Sequence, residues 1–338
     1  MAIDNKCKNC GGELVYDPES GELKCIQCDG IVDIPEENAN ATKIEFNGAT
    51  QLKQSKEEYT QFICPTCGRR HITPINQDLT RCPSCGDCNL EKNVSVSYLP
   101  DGIIPFKLNK EAALQNFSAW LGKRFWAPNN LKKLAKTETL KGTYFPVYNY
   151  DFNTHSQYSG VGVKTRRGLD GKQYTTKHKF KGERDDNFIN YVDSANSTIP
   201  SALLREMSNF DYTQCYVYRT EFLYGWVGLD NNINIHDSFE KVKMSSKQEI
   251  ENRIKKSANY DRVENLVCNT TYKDTKYNYL YVPVWVNYYK YKDKIYHSFI
   301  NGITGKVSGD APKSFWKRFF AFLGAISIFI LLYFLTQH

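Results

Sequence analysis

The 338-residue chain holds two blocks of four cysteines with the same spacing. Cys7-x-x-Cys10 is followed after fourteen residues by Cys25-x-x-Cys28, and Cys64-x-x-Cys67 after the same interval by Cys82-x-x-Cys85. A two-residue gap lets one tight turn aim two thiolates at a single ion. Four thiolates at ~2.3 Å close a tetrahedral zinc shell and leave no position for a substrate. Gly11-Gly12, Gly68 and Gly86 fall where such a turn needs φ > 0. Asp17-Pro18-Glu19-Ser20-Gly21 reads as a turn joining two short strands between the first two cysteine pairs. The pattern predicts two zinc ions, one on Cys7, Cys10, Cys25 and Cys28 and one on Cys64, Cys67, Cys82 and Cys85. The role it predicts is structural, not catalytic or redox.

The other reactive side chains fit less well. Cys88 is a surplus thiol that could replace Cys85, although the two-residue spacing favours Cys82 with Cys85. His71 is a poorer ligand candidate because the thiolate set is already complete. Cys215 and Cys268 stand alone in aromatic, strand-like surroundings and read as inert buried thiols. Met1–Asn5 leads straight into Cys7 without a secretory signal, so paired cysteines read as metal ligands in a reducing compartment. No H-E-x-x-H, G-x-S-x-G or supported His–Cys pair occurs. There is no G-x-x-x-x-G-K-[ST] phosphate cradle, and Gly302-x-x-Gly305-Lys306 has the wrong spacing and ends in Val307. The chain is expected not to be an enzyme.

These sites need elements to hold them. Composition divides the chain into zinc ribbon 1 (1–35), a polar linker (36–60), zinc ribbon 2 (61–93), an α+β domain (94–312) and a hydrophobic tail (315–335). Asn109 can cap a helix with an inward face of Leu114, Phe117 and Leu121 and a stop at Gly122. Ser246-x-x-Glu249 has the pattern of a capping box that opens a short helix. Strand-like segments rich in Tyr and Val lie near 143–163, 213–229, 263–273 and 278–300. Tyr144-Phe145-Pro146-Val147-Tyr148 echoes Tyr281-Val282-Pro283-Val284-Trp285. The echo reads either as a duplicated helix-plus-sheet unit or as two edge strands that tolerate a proline. The expected class is α+β: two small β zinc ribbons, a mixed antiparallel sheet with helices, and a C-terminal transmembrane helix.

Charge is unevenly placed. Residues 1–50 carry four Lys against ten Asp and Glu, a net of −6, while 101–338 carry +12 within a chain total of +7. In the tail, Phe319 through Leu335 has no charge and approaches the ~20 residues needed to cross a bilayer. Lys313, Lys317 and Arg318 flank it on one side and only Thr336, Gln337 and His338 on the other. Positive flanks stay inside, so the expectation is a single-pass cell-membrane protein with its N-terminal bulk in the cytoplasm.

Taken together, both ribbons, Ile104-Pro105-Phe106 before the Asn109 helix, the Tyr281–Trp285 segment and the ending Asn301-Gly302-Ile303-Thr304-Gly305-Lys306-Val307 resemble a family of poorly characterised bacterial membrane proteins with TFIIB-type zinc ribbons. The resemblance covers nearly the whole chain. Relatives are often labelled primosomal helicase-like, and some are encoded beside SPFH-like and phage-shock-A-like proteins. Cys88 departs from the usual second ribbon. The resemblance implies a membrane-anchored scaffold that recruits an SPFH-like or phage-shock-A-like partner, with envelope stress as the setting and membrane lipid and a related ribbon protein as further partners. The alternative is a nucleic-acid-binding ribbon protein. Asp4, Glu13, Asp17, Glu19, Glu22 and Asp29 would repel phosphate from the first ribbon, whereas Arg69, Arg70 and Arg81 leave the second open to it.

Overall fold

The computed structural model describes all residues except 1–4, 35–40, 55–58, 76, 96–97, 99, 129–139, 170, 208–209, 292–293 and 337–338. Asp4, Gln337 and His338 therefore lie outside the described residues. The architecture is α+β. Strands β1 (Leu14–Tyr16), β2 (Leu23–Cys25) and β3 (Ile31–Val32) form a small antiparallel sheet around the first cysteine block. The next strands are β4 (Ile44–Glu45), β5 (Tyr59–Ile63), β6 (Arg70–Pro74), β7 (Glu91–Ser95) and β8 (Gly102–Ile103), followed by helix α1 (Lys110–Gly122). Two very long strands come next, β9 (Lys141–Arg167) and β10 (Gln173–Ser194), then helix α2 (Ser201–Met207), β11 (Tyr216–Val217) and β12 (Val227–Leu229). Helix α3 (Ile235–Ser257), β13 (Arg262–Tyr291), β14 (Lys294–Asn301), β15 (Val307–Gly309) and helix α4 (Phe315–Thr336) complete the chain.

Strands β4 to β15 belong to one sheet, whose main path runs β11-β8-β13-β9-β12-β6-β5-β7. The second cysteine block is thus carried by the same sheet as the rest of the body. β9 and β13 pair antiparallel from Lys141 opposite Val286 to Val163 opposite Arg262. Bulges interrupt the long strands, and at each one an Asn or Asp takes the left-handed conformation: Asn190 (φ 54°), Asn265 (φ 49°) and Asp274 (φ 51°). These residue types enter that region at the lowest cost after glycine.

The aromatic echo is a structural repeat. Pro146 and Pro283 both lie in the two central strands, where Tyr144 faces Pro283 and Pro146 faces Tyr281. In each half a short strand runs parallel to the two residues that stand three and two places before the proline. β12 does so against Thr143 and Tyr144, and β8 against Leu280 and Tyr281. A hairpin strand then joins from the residue after the proline, Ser194 opposite Val147 and Asn301 opposite Val284. The carbonyls of Pro146 and Pro283 accept from the N–H groups of Ala195 and Gly302. The carbonyl of Ala195 takes the N–H groups of Asn232 and Ile233, and that of Gly302 takes those of Lys107 and Leu108. Each of those pairs leads into an asparagine N-cap, Asn234 for α3 and Asn109 for α1. Finally, Tyr148 Oη donates to Ile233 O (2.7 Å) and Trp285 Nε1 to Leu108 O (3.0 Å). The body is two β–α–β–β units, and each gives its short strand to the other's long one. The edge-strand reading of the prolines fails because both sit where the neighbouring ladder changes partner, so no bond is lost for want of an N–H.

The α1 prediction holds, with Asn109 Oδ1 accepting from Ala112 N at 2.8 Å and Phe117 and Leu121 buried. Ser246 does not open a helix. It lies inside α3, where its Oγ bonds back to Val242 O (2.7 Å) and meets Tyr272 Oη (3.1 Å). The 213–229 segment is two short strands separated by tight helical turns, not one strand.

The transmembrane expectation for 315–335 is overturned. Among the described residues no helix is long and apolar enough to cross a membrane. The first turn of α4 is tied to the body. Lys317 Nζ donates to Phe125 O (3.0 Å) and Ala127 O (2.8 Å), and Ser314 N donates to Trp126 O (2.8 Å). Lys313, Lys317 and Arg318 lose their assignment as membrane-flanking residues, and the single-pass cell-membrane localisation falls with it.

Candidate metal centres

Each cysteine pair sits on a knuckle built the same way. The N–H of the residue four after the first cysteine of each pair returns to that cysteine's carbonyl: Gly11 to Cys7, Asp29 to Cys25, Gly68 to Cys64 and Gly86 to Cys82. The turn forces this residue into the left-handed region, with φ of 72° at Gly11, 56° at Asp29, 69° at Gly68 and 81° at Gly86. Gly12 has a different reason to be glycine: a Cβ there would meet Cys25 Sγ at 2.9 Å.

The knuckles bring the eight predicted ligands together as two sets of four, with all sulfurs in a set within 4.8 Å of one another. Cys7 and Cys28 are 3.7 Å apart, Cys10 and Cys25 3.5 Å, Cys64 and Cys85 3.6 Å, and Cys67 and Cys82 3.7 Å. Those spacings are far too long for disulfides. They match the ~3.8 Å edge of a tetrahedron with metal–sulfur bonds of ~2.3 Å. The donor set therefore fits a tetrahedral, thiophilic cation. Without one, the four thiols cannot ionise together. The hydrogen bond with Cys82 holds the Cys67 thiol down at about 5, and the same contact pushes Cys82 well above the ordinary thiol range.

Cys88 is exposed, stands outside the second set, and has its Sγ 4.0 Å from the Gly86 carbonyl. Cys215 and Cys268 are buried in two different clusters of the body. Neither joins a metal set. Burial lifts the Cys215 thiol to about 12, which keeps it protonated and unreactive.

The two centres differ in their surroundings. In the first, Cys10 and Cys28 are exposed, as are Ile26 in the knuckle turn after β2 and Ile31 on β3. Its hydrophobic underside docks on the body through Tyr16, whose carbonyl accepts from Trp226 Nε1 (2.9 Å) and whose hydroxyl donates to Phe106 O (3.3 Å). The second is gripped on several sides. His71, fully buried on β6, places Nε2 3.4 Å from Cys82 Sγ. His297 Nε2 lies 2.9 Å from Ser84 O in the knuckle, and a Cβ on Gly86 would overlap the hydroxyl of Tyr288, the cross-strand neighbour of His297. Spacing alone did not single out His297 or Tyr288, because their only signal is a contact across more than two hundred residues.

No family model matches the chain, and no solved structure matches it. The chain is similar to YdjG, an uncharacterized protein of Bacillus subtilis (strain 168), with 26% identity over 321 residues that cover 93% of this chain and 91% of the relative. The similarity spans ribbons and body together.

Proposed function

We propose that this protein is a non-enzymatic scaffold in which two zinc ions, one per four-cysteine set, hold ribbons that bind a protein partner. The observation that carries the reading is the closure of both sets. Four thiolates fill each tetrahedron, so the ion stabilises a surface instead of activating water or substrate. The exposed Ile26 and Ile31 beside the first centre give a partner apolar footing on a rigid support. By the family resemblance the partner is an SPFH-like or phage-shock-A-like protein.

The full chain should carry two zinc ions by elemental analysis and co-elute with one of these two partners on mixing. Cys7→Ser and Cys64→Ser should each lose one ion, and Cys215→Ser none. Loss of either ion should weaken co-elution by tenfold or more. Zinc-free protein, or full binding by both variants, would sink the reading.

A second reading, nucleic-acid binding, draws on one observation. Lys164, Arg166 and Arg167 on β9 and Lys177, Lys179 and Lys181 on β10 lie on one hairpin, although Lys177 is paired with Glu264. Against it, Arg69 of the second ribbon is turned inward, donating to Thr198 Oγ1 (3.2 Å). Tight DNA binding that weakens steeply with salt, with no partner co-elution, would favour this second reading.

A further inference from the structure

We infer that His71 is an outer-sphere partner of the second metal centre, donating a hydrogen bond from Nε2 to the metal-bound Cys82 thiolate and so setting how tightly that centre holds its ion. The inference rests on the zinc reading of the second four-cysteine set and deepens it. Its ground is geometric. His71 is fully buried on β6, and Nε2 lies 3.4 Å from Cys82 Sγ, within hydrogen-bond range for sulfur. A coordinated thiolate has no proton to give, so the proton of this contact must sit on Nε2. Nδ1 then carries a lone pair and has no partner among the described residues, which is a cost in a buried site. A histidine held in place despite that cost has its useful contact on the other nitrogen.

Cys82 also accepts from the backbone N–H of Ser84 at 3.4 Å. The thiolate thus takes backbone N–H donors from its own knuckle, at Ser84 and Cys85, and one side-chain donor from a neighbouring strand. Each donor draws charge from the sulfur and fixes its direction, as outer-shell partners of metal ligands do. The first centre has the equivalent knuckle bond, from Gln27 N to Cys25 Sγ at 3.5 Å. Among the described residues no histidine bonds a sulfur there. The two centres should therefore differ in ion retention, with the second the more dependent on a side chain.

The test compares His71→Gln, which keeps an N–H donor near the Nε2 position, with His71→Leu, which removes it. Zinc release from the full chain to a colorimetric chelator is followed as two phases, assigned by Cys7→Ser and Cys64→Ser. His71→Leu should speed release from the second centre by about 10–100-fold and leave the first unchanged, while His71→Gln restores most of the loss. In cobalt-substituted protein, the thiolate-to-metal charge-transfer band of the second centre should shift in His71→Leu and return in His71→Gln. A zinc-free second centre in the wild-type chain would overturn the zinc reading itself. Unchanged release and an unshifted band in a folded His71→Leu would overturn the role of His71 alone. Equal damage by both substitutions would make His71 a packing residue and would also overturn it.

Discussion

Asp186 shows how one side chain couples two elements. Its carboxylate takes Arg184 Nε (2.7 Å) and Nη2 (2.8 Å) from its own strand and Arg253 Nη1 (2.8 Å) from α3. Burial pushes this carboxyl up, but the hydrogen bonds from Arg184 and Arg253 outweigh burial and leave it below the usual carboxylate range. A depressed acid stabilises the fold above its unfolded value, and the contribution is lost as pH falls through the folded one. Asp186→Asn should cost about 2–3 kcal/mol at neutral pH, because it leaves two guanidinium groups facing a neutral amide. Denaturant melts of variant and wild type should converge below pH ~4. A gap that stays constant well below pH ~4, through the depressed folded range, would show that the loss comes from packing. At this scale the two four-cysteine sets were the most legible feature, since their chemistry lies in local spacing. Asp186 was not legible, because its partner on α3 is remote in sequence and ordinary in type.

Among elements, one indole sits at the centre of the joint between the first ribbon and the body. Trp226 stacks on Phe106 at 4.2 Å and meets Trp285 edge-on at 5.3 Å while donating to Tyr16 O. A Cβ at Gly142 would overlap its ring, so the strand beneath is cut away to admit it. Trp226→Ala should destabilise the body by about 3–5 kcal/mol and open the 1–34 segment to limited proteolysis. The first centre should keep its ion, because its four ligands all lie within the ribbon. Joint loss of ion and protection would show that docking and metal binding are one event. Helix α1 was legible through its asparagine cap and apolar spacing. The start of α3 was missed because Ser246 matches a local cap rule, while the true cap, Asn234, is selected by the repeat that places it beside Ala195 O. Segment 213–229 looked like a strand from its aromatics alone; its tight turns answer to packing around Tyr16 and Phe106 that no local window contains.

At the scale of the molecule, the second ribbon is one end of the main sheet. β6 pairs with β12 through Ile72 opposite Gly228 and His71 opposite Leu229. Stripping the second ion should therefore lower the melting temperature of the body, whereas stripping the first should mainly release its own ribbon. Calorimetry of Cys7→Ser and Cys64→Ser can separate the two. Equal, small shifts would argue that the sheet tolerates an empty second centre. The α+β class followed from mixed helix and strand signals, and the repeat was visible as two proline-centred pentapeptides. The exchange of short strands between halves was not visible, since nothing in either pentapeptide names its neighbour. That exchange has a consequence in time. Neither half can complete its sheet from its own residues, and β9 must find β13 across the whole intervening hairpin and helix. Loop closure of this length precedes most of the reward from pairing, which places the body among slow folders. A nascent chain that has emerged only through β10 still lacks both β12 and β13, so its long strands stay open to wrong partners until synthesis is nearly complete.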